Sequence, residues 1–288
     1  MKILITGGAG FIGSSLALAL IARGHAITVL DNLSEQIHGK DAENTSGLFL
    51  RIKDKVNFIK GDVCNEADWR KALSDQDAVV HLAAETGTGQ SMYQIRRYTD
   101  VNIGATSLLL DLLANGQYNV KRVVVASSRA IYGEGKYFSE KYGYVYPGTR
   151  ERERMSAGKF DVSFKEDENL QLVATDEESK IHPTSVYGIT KQVQEQMVMT
   201  VCPAIGIDPV AFRYQNVYGP GQSLKNPYTG ILSIFSNLIK NRQPINIFED
   251  GNESRDFVFI DDVVDATVAG IEKDAAVNTV FNVGTGVP

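Results

Sequence analysis

Tyr187 and Lys191 stand four residues apart in Tyr187-Gly188-Ile189-Thr190-Lys191, a spacing that puts a phenol and an ammonium on one face of a helix. A phenol ionises near pH 10 and is a poor base at neutral pH unless a nearby cation favours its charged form. Such a pair suits the removal of a proton from an alcohol such as a sugar hydroxyl. Ser128 follows the apolar run Val123-Val124-Val125 and could hydrogen-bond the same hydroxyl and the carbonyl that forms from it. A Tyr and a Lys at this spacing also occur as an ordinary surface pair, so their weight comes from what stands upstream.

Upstream, the apolar run Lys2-Ile3-Leu4-Ile5-Thr6 leads into Gly7-Gly8-Ala9-Gly10-Phe11-Ile12-Gly13 and then an apolar helical pattern to Arg23. This reads as strand, glycine-rich turn and helix. A pyrophosphate would sit on the helix N-terminus, where free N–H groups and the helix dipole favour an anion. Gly7 allows the tight turn, Gly10 allows close backbone approach, and Gly13 lets the helix lie near the strand. The next apolar run ends in Asp31, whose carboxylate can accept bonds from an adenosine ribose. A 2′-phosphate would meet that charge with no arginine following at once, so NAD is expected rather than NADP. A purely structural glycine turn is the competing reading, and the acid at the next strand end counts against it.

At 288 residues the chain can bury a sizeable core in one large or two unequal domains. Its net charge of -6 gives no support for binding nucleic acid or an anionic membrane surface. The two cysteines, Cys64 and Cys202, are too few for a disulfide framework or a zinc cluster, so no metal site is expected and a reducing cytoplasm is. Met1-Lys2 opens directly into the first strand, leaving no room for a signal peptide, and the apolar stretch Leu16 to Ala22 is too short to span a bilayer.

Further strands are expected at 56–60, 78–82, 122–127, 208–214 and 280–283, and helices at 98–115, 185–201, 230–240 and 260–272. This alternation predicts an α/β fold, a doubly wound parallel sheet of the Rossmann type, with ligands beyond the carboxyl ends of its strands. Residues 1–217 are expected as the dinucleotide-binding domain and 218–288 as a smaller C-terminal substrate region. The polar, tyrosine-rich stretch 134–182 shows no alternation and is read as an insertion, solvated in preference to a lid or subunit contact. Its run Arg150-Glu151-Arg152-Glu153-Arg154 is read as a solvated face. Ala83-Ala84, after the fourth strand, would let a cofactor pass close by. His81 is expected to pack beside the cofactor site, His182 to be structural and Trp69 to lie in the core.

With these pieces in place the chain resembles the extended short-chain dehydrogenases/reductases of the nucleotide-sugar epimerase and dehydratase branch. The matching motifs are Gly7 to Gly13, Asp62-Val63, His81-Leu82-Ala83-Ala84, Asn102, Ser127 to Gly133, Tyr187 to Lys191, Phe212 to Gly219 and Arg255-Asp256-Phe257-Val258. The resemblance implies that Tyr187 is the base, that Lys191 binds the nicotinamide ribose and tunes Tyr187, and that Ser128 steadies the reacting hydroxyl. It also implies that Phe11, Ile12, Asn32, Asp62, Val63, Leu82 and Asn102 join the cofactor site, and that Asn216 and Arg255 contact a nucleotide-sugar diphosphate. A homodimer through the helices of Tyr98 and Tyr187 is expected on the same ground.

Dehydratases of this branch place an acid in the two positions after the catalytic serine or threonine. Here those positions are Arg129 and Ala130, so 4-epimerisation through a 4-keto intermediate is expected. A 4,6-dehydratase, a 4-ketosugar reductase and a non-catalytic dinucleotide-binding regulator are the alternatives. A narrower resemblance, to bacterial dTDP-L-rhamnose 4-epimerases, rests on Gly89 to Tyr93, Tyr144 to Gly148, Asn226 to Gly230 and Phe248 to Gly251. Those enzymes carry paired cysteines late in the insertion, which this chain lacks. Relatives also continue past the position of Pro288, so the region from 218 is expected to be incomplete or finished by a partner subunit.

Overall fold

The computed structural model describes residues 1–224, 226, 228 and 230–287; Pro227 and Thr229 of the Asn226 to Gly230 motif lie outside them. Seven strands form one parallel sheet: β1 (Lys2–Thr6), β2 (Ala26–Asp31), β3 (Asn57–Lys60), β4 (Ala78–His81), β5 (Arg122–Ser128), β6 (Asp208–Tyr214) and β7 (Thr279–Val283). Their order is β7-β6-β5-β4-β1-β2-β3. The chain runs outward from β1 in one direction and from β4 in the other. The crevice at the strand carboxyl ends therefore opens between β1 and β4, where strand order reverses.

The principal helices are α1 (Phe11–Ala22), α2 (Glu66–Leu73), α3 (Ala105–Asn115), α4 (Val186–Ala204), α5 (Ile231–Lys240) and α6 (Ile260–Glu272). Side chains alternate across the sheet, so each strand feeds two cores. Ile3, Ile5 and Val124 pack with Leu16 and Leu20 of α1 and Val263 and Val268 of α6. Leu4, Val123 and Val125 pack with Trp69 of α2, Leu109 of α3 and Val198 of α4. The doubly wound sheet expected from the strand and helix alternation is the fold observed.

Three expectations change. The helix expected over 98–115 is not continuous: Ile95–Tyr98 is α-helical, Thr99–Gly104 is a wider π-turn, and α3 follows. A π-turn re-aims one side chain inward, and here Asn102 is fully buried with its amide on Glu85 and Thr190. The insertion has regular structure of its own. Tyr137–Ser139 pairs antiparallel with Gly143–Val145 and with Gln171–Leu172, strands too short to show a period. Nor is the arginine-glutamate run simply solvated, since Arg150 pairs with Glu249 at 2.6 Å and Glu253 at 3.6 Å, and Arg154 pairs with Glu168. Within 218–288, α6 packs on α1 and β7 extends the large sheet, while Asn216–Tyr218 pairs in parallel with Phe257–Phe259 after the end of β6.

The helix carrying Tyr187 is fixed at its start and along its buried face. Ser185 caps α4 by accepting the Gly188 N–H at 3.1 Å, and Ser91 accepts the Tyr187 N–H at 3.0 Å. Lower down, Arg213 of β6 donates to both carboxylate oxygens of Glu195, at 2.6 and 3.0 Å, with both side chains buried. Glu195→Ala would leave the Arg213 charge buried without its partner. It should cost about 3–5 kcal/mol, read as a lower urea midpoint at unchanged slope.

Candidate active site

The turn after β1 is built on contacts that no side chain survives. Gly7 has φ +67°, and a Cβ there would stand 2.8 Å from the Ala83 nitrogen. A Cβ on Gly13 would stand 2.4 Å from the Gly7 carbonyl oxygen and 2.6 Å from the Gly8 Cα, so α1 lies directly against the turn. Gly10 differs, because a Cβ there would meet only the Gly7 carbonyl, at 3.2 Å. Gly10 is the residue before α1 and offers no side-chain cap. The first-turn N–H groups of a helix have no intrahelical acceptor, and here they face an open cradle of backbone.

Asp31 braces this cradle, since one carboxylate oxygen accepts the Ala9 N–H at 2.9 Å and the other accepts the Leu33 N–H at 2.8 Å. Each oxygen keeps a second lone pair for a ribose hydroxyl. Burial pushes the Asp31 carboxyl above the ordinary carboxylate range, and the two amides and His38 oppose that push. His38 is buried 3.9 Å from Asp31 and hydrogen-bonds Ser46 at 2.7 Å. Asn32 donates to Asp62 at 3.4 Å, bringing together two of the expected cofactor residues. Phe11, Ile12 and Leu82 pack half-buried against the first core, and Ala83 against the second; Ala84 is half-buried. Val63 is buried in the second core, and its carbonyl accepts the Trp69 indole N–H at 2.6 Å, so any contact with a cofactor would be through its backbone. Asn102 has its amide engaged with the Glu85 backbone and Thr190, so it shapes the loop after β4 from within.

At the other end of the crevice Ser128, Tyr187 and Lys191 converge, but not with the pairing expected from their spacing. The Tyr187 phenol lies beside Ser128, whose oxygen accepts the Ala130 N–H at 3.2 Å. Burial pushes the Tyr187 phenol above its ordinary value; the neighbouring Ser128 hydroxyl and the positive charge of Arg129 pull it back. Lys191 faces elsewhere, donating to the Ala126 carbonyl at 2.7 Å and to the Gln194 side-chain oxygen at 3.0 Å, and burial lowers its ammonium to about 7. The cation acting on Tyr187 is therefore Arg129, whose role the sequence reading missed. Gly188 permits this proximity, because a Cβ there would stand 2.5 Å from the Ala130 carbonyl. Tyr98 packs edge-on to Tyr187 with ring centres 6.4 Å apart.

Asn216 and Arg255 come from adjoining segments. The Asn216 amide donates to the Asp256 carbonyl at 3.0 Å, and Arg255 pairs with Glu253 at 2.6 Å while remaining partly exposed. The positive charge of Arg255 bears on the Arg129 guanidinium, with Glu134 and Glu253 offsetting it. His81 is fully buried between Thr6 and Thr106, and His182 hydrogen-bonds the Lys180 and Pro147 carbonyls. Among the described residues there is no group of three potential metal ligands, and no helix is long and apolar enough to cross a membrane.

Gly13→Ala should force α1 away from the turn. Overpacking of this kind costs about 1–3 kcal/mol, read as a loss of roughly tenfold or more in NAD affinity when protein fluorescence is titrated with NAD. Gly148→Ala, with open space around the added methyl, should bind as the parent does.

Comparison with known proteins agrees with this geometry. Residues 3–151 and 165–284 match the NAD dependent epimerase/dehydratase family. The chain is 39% identical over 287 residues to the dTDP-L-rhamnose 4-epimerase of Burkholderia thailandensis, covering 99% of this chain and 77% of that one. It is 31% identical, with the same coverage, to a putative UDP-glucose 4-epimerase of Methanocaldococcus jannaschii. Among solved structures, UDP-glucuronic acid 4-epimerase from Bacillus cereus, in complex with UDP-glucuronic acid and NAD, superposes with a TM-score of 0.76 at 28% identity, covering 99% of this chain and 77% of that one. With the family match spanning most of its length and the glycine cradle, Asp31 and the Ser128, Tyr187 and Lys191 cluster on one sheet edge, the chain belongs to the NAD-dependent epimerase/dehydratase family.

Proposed function

We propose that this protein epimerises C4 of a nucleoside-diphosphate sugar through a 4-keto intermediate, with dTDP-L-rhamnose or a related deoxysugar nucleotide as substrate. The observation that carries this reading is the company of Tyr187: the groups acting on its ionisation are a hydroxyl, Ser128, and a guanidinium, Arg129. Removing water across C5 and C6 calls for an acid after the serine, and Arg129 and Ala130 hold those positions. Exchange of hydride with C4 needs only a base, a hydroxyl donor and a dinucleotide.

The residues present fit NAD. The Gly10 cradle leaves backbone amides open to a pyrophosphate, and Asp31 has lone pairs free for the ribose hydroxyls. When bound, NAD supplies reversible hydride exchange with C4. Tyr187 takes the C4 hydroxyl proton as C4 is oxidised and returns it as the alcohol re-forms. Ser128 holds the same oxygen by hydrogen bonding. Asn32, Asp62, Val63, Leu82, Ala83 and Ala84 wall the cofactor, and Lys191 donates to its nicotinamide ribose. Asn216 and Arg255, from the region around and beyond residue 218, hold the sugar diphosphate.

A homodimer is part of the proposal. Met92, Ile95 and Ile189, flanking the Tyr98 and Tyr187 segments, are large apolar side chains about half exposed, which suits a helix-to-helix interface. The free thiols of Cys64 and Cys202 suit a reducing cytoplasm.

Proton NMR of dTDP-L-rhamnose incubated in D₂O with protein and sub-stoichiometric NAD tests the reading. The C4 epimer should form with no deuterium in the sugar, and Tyr187→Phe should slow it about 10²–10⁴-fold. Dehydration is tested with dTDP-D-glucose, which carries the C6 hydroxyl that dTDP-L-rhamnose lacks: deuterium at C5 of its product would assign a dehydratase, and stoichiometric release of NADH would assign a dehydrogenase. The pH dependence follows from Arg129. The base works ionised, so kcat/KM rises as pH passes through the Tyr187 pKa. Arg129→Met removes the charge that lowers that pKa, and the acidic limb should move to higher pH.

A further inference from the structure

Lys191 is 3% exposed, and of its three ammonium hydrogens one goes to the Ala126 carbonyl and one to the Gln194 side-chain oxygen. Gln194 is itself fully buried, and its amide donates to the Thr106 hydroxyl at 2.8 Å. That hydroxyl has a single hydrogen, which it gives to the Asn102 carbonyl at 2.7 Å. His81 Nε2, 3.1 Å from the same oxygen, must then be the donor, and His81 Nδ1 accepts from the Thr6 hydroxyl at 2.8 Å. Thr6 in turn accepts the Ala83 N–H at 3.2 Å. Burial holds His81 neutral, down to about 3, in agreement with that tautomer. Donors and acceptors thus balance in one direction only from the glycine turn to Lys191. Turning the Gln194 amide over would set an NH₂ group against an ammonium and leave Thr106 without its donor.

We propose that Gln194 is a positioning residue for Lys191: locked by the Thr106, His81 and Thr6 chain, it takes one ammonium hydrogen so that a single N–H is left for the cofactor ribose. The proposal rests on the reading that Lys191 meets the cofactor, and it adds the group that aims it. Charged and titratable neighbours cannot do this. Tyr187 and Arg129 face the reacting end, Tyr98 packs on Tyr187, His81 is neutral, and Glu195, one turn along the helix, is spent on Arg213. The Gln194 oxygen and the Ala126 carbonyl are what hold the charge in place.

The test uses NAD-free protein with isotopically labelled lysine, in which Lys191 is assigned by its loss in Lys191→Met and titrated by NMR. Gln194→Met keeps the packing and removes the acceptor. The Lys191 midpoint should fall by about one pH unit, since an acceptor that favours the charged form is gone, and NAD affinity should fall roughly tenfold. Gln194→Glu keeps the acceptor and adds a negative charge, so its midpoint should rise above that of the parent. A midpoint and an NAD affinity unchanged in Gln194→Met would overturn the proposal. So would equal loss of thermal stability in both variants with the Lys191 midpoint unmoved, which would mark Gln194 as packing alone. Should Gln194→Met not fold, Thr106→Val decides the matter, because it leaves Gln194 present but unlocked: a fall in NAD affinity of the same kind supports the proposal, and an unchanged affinity overturns it. None of these readouts depends on turnover, so an inactive parent protein with shifted variants would refute the epimerase reading and leave this one standing.

Discussion

A lysine ammonium without water must find acceptors or lose its proton, and the placement of Lys191 organises the crevice around that requirement. Its bond to the Ala126 carbonyl fastens α4 to β5. Thr190, beside it, accepts from Asn102 of the π-turn, and Glu195, one turn on, grips Arg213 of β6. Residues 190, 191, 194 and 195 share the buried side of α4 at helical spacing, so three different elements hold one helix by its polar face. Tyr187, one turn before, inherits its position from these anchors. The phenol proposed as the base is thus held in part by groups that do not touch it, alongside its own contacts with Ser91 and Tyr98.

Much of this was legible locally and some was not. The glycine turn, Asp31 and the Tyr187 and Lys191 pair are short patterns whose spacing carries their geometry, and each lies where the pattern puts it. Spacing fixes a shared helix face, however, and not a hydrogen bond. It gave no means of seeing that Lys191 would turn to Gln194 and leave Arg129 as the cation felt by Tyr187. The chain from Thr6 through His81 and Thr106 to Gln194 joins four separate elements, with Thr106 and Gln194 alone 88 positions apart. No periodicity spans that distance. The insertion escaped for the opposite reason: its strands are two and three residues long, and such segments carry no period at all.

The insertion is nonetheless tied electrically to the proposed substrate region. Glu253 pairs with Arg255 and lies 3.6 Å from Arg150, while Glu249 takes the closer contact to Arg150. Arg150 is about three-quarters shielded, which makes its pair with Glu249 worth more than an exposed one. The segment 249–253 thereby presents one acid to each arginine, and the insertion is held against the stretch that carries Arg255. A residue run that reads as a charged surface in one dimension is a junction between two segments about a hundred residues apart.

The residue after Ser128 bears on both the reaction type and the ease of the first proton transfer. A carboxylate in that place would add a negative charge near the Tyr187 phenol and push its ionisation further up, on top of what burial already does. Such a site needs the cofactor's positive charge to recover the base. A guanidinium works in the other direction, stabilising the phenolate before any sugar is oxidised, and it has no proton to exchange at neutral pH. Arg129 therefore favours the proton removal common to the family's chemistry while withholding the acid that elimination requires. With Lys191 held by Ala126 and Gln194, the two cations divide, in the proposed reaction, the work that the spacing alone had assigned to one: Arg129 would act on the base, and Lys191 would be left to the ribose.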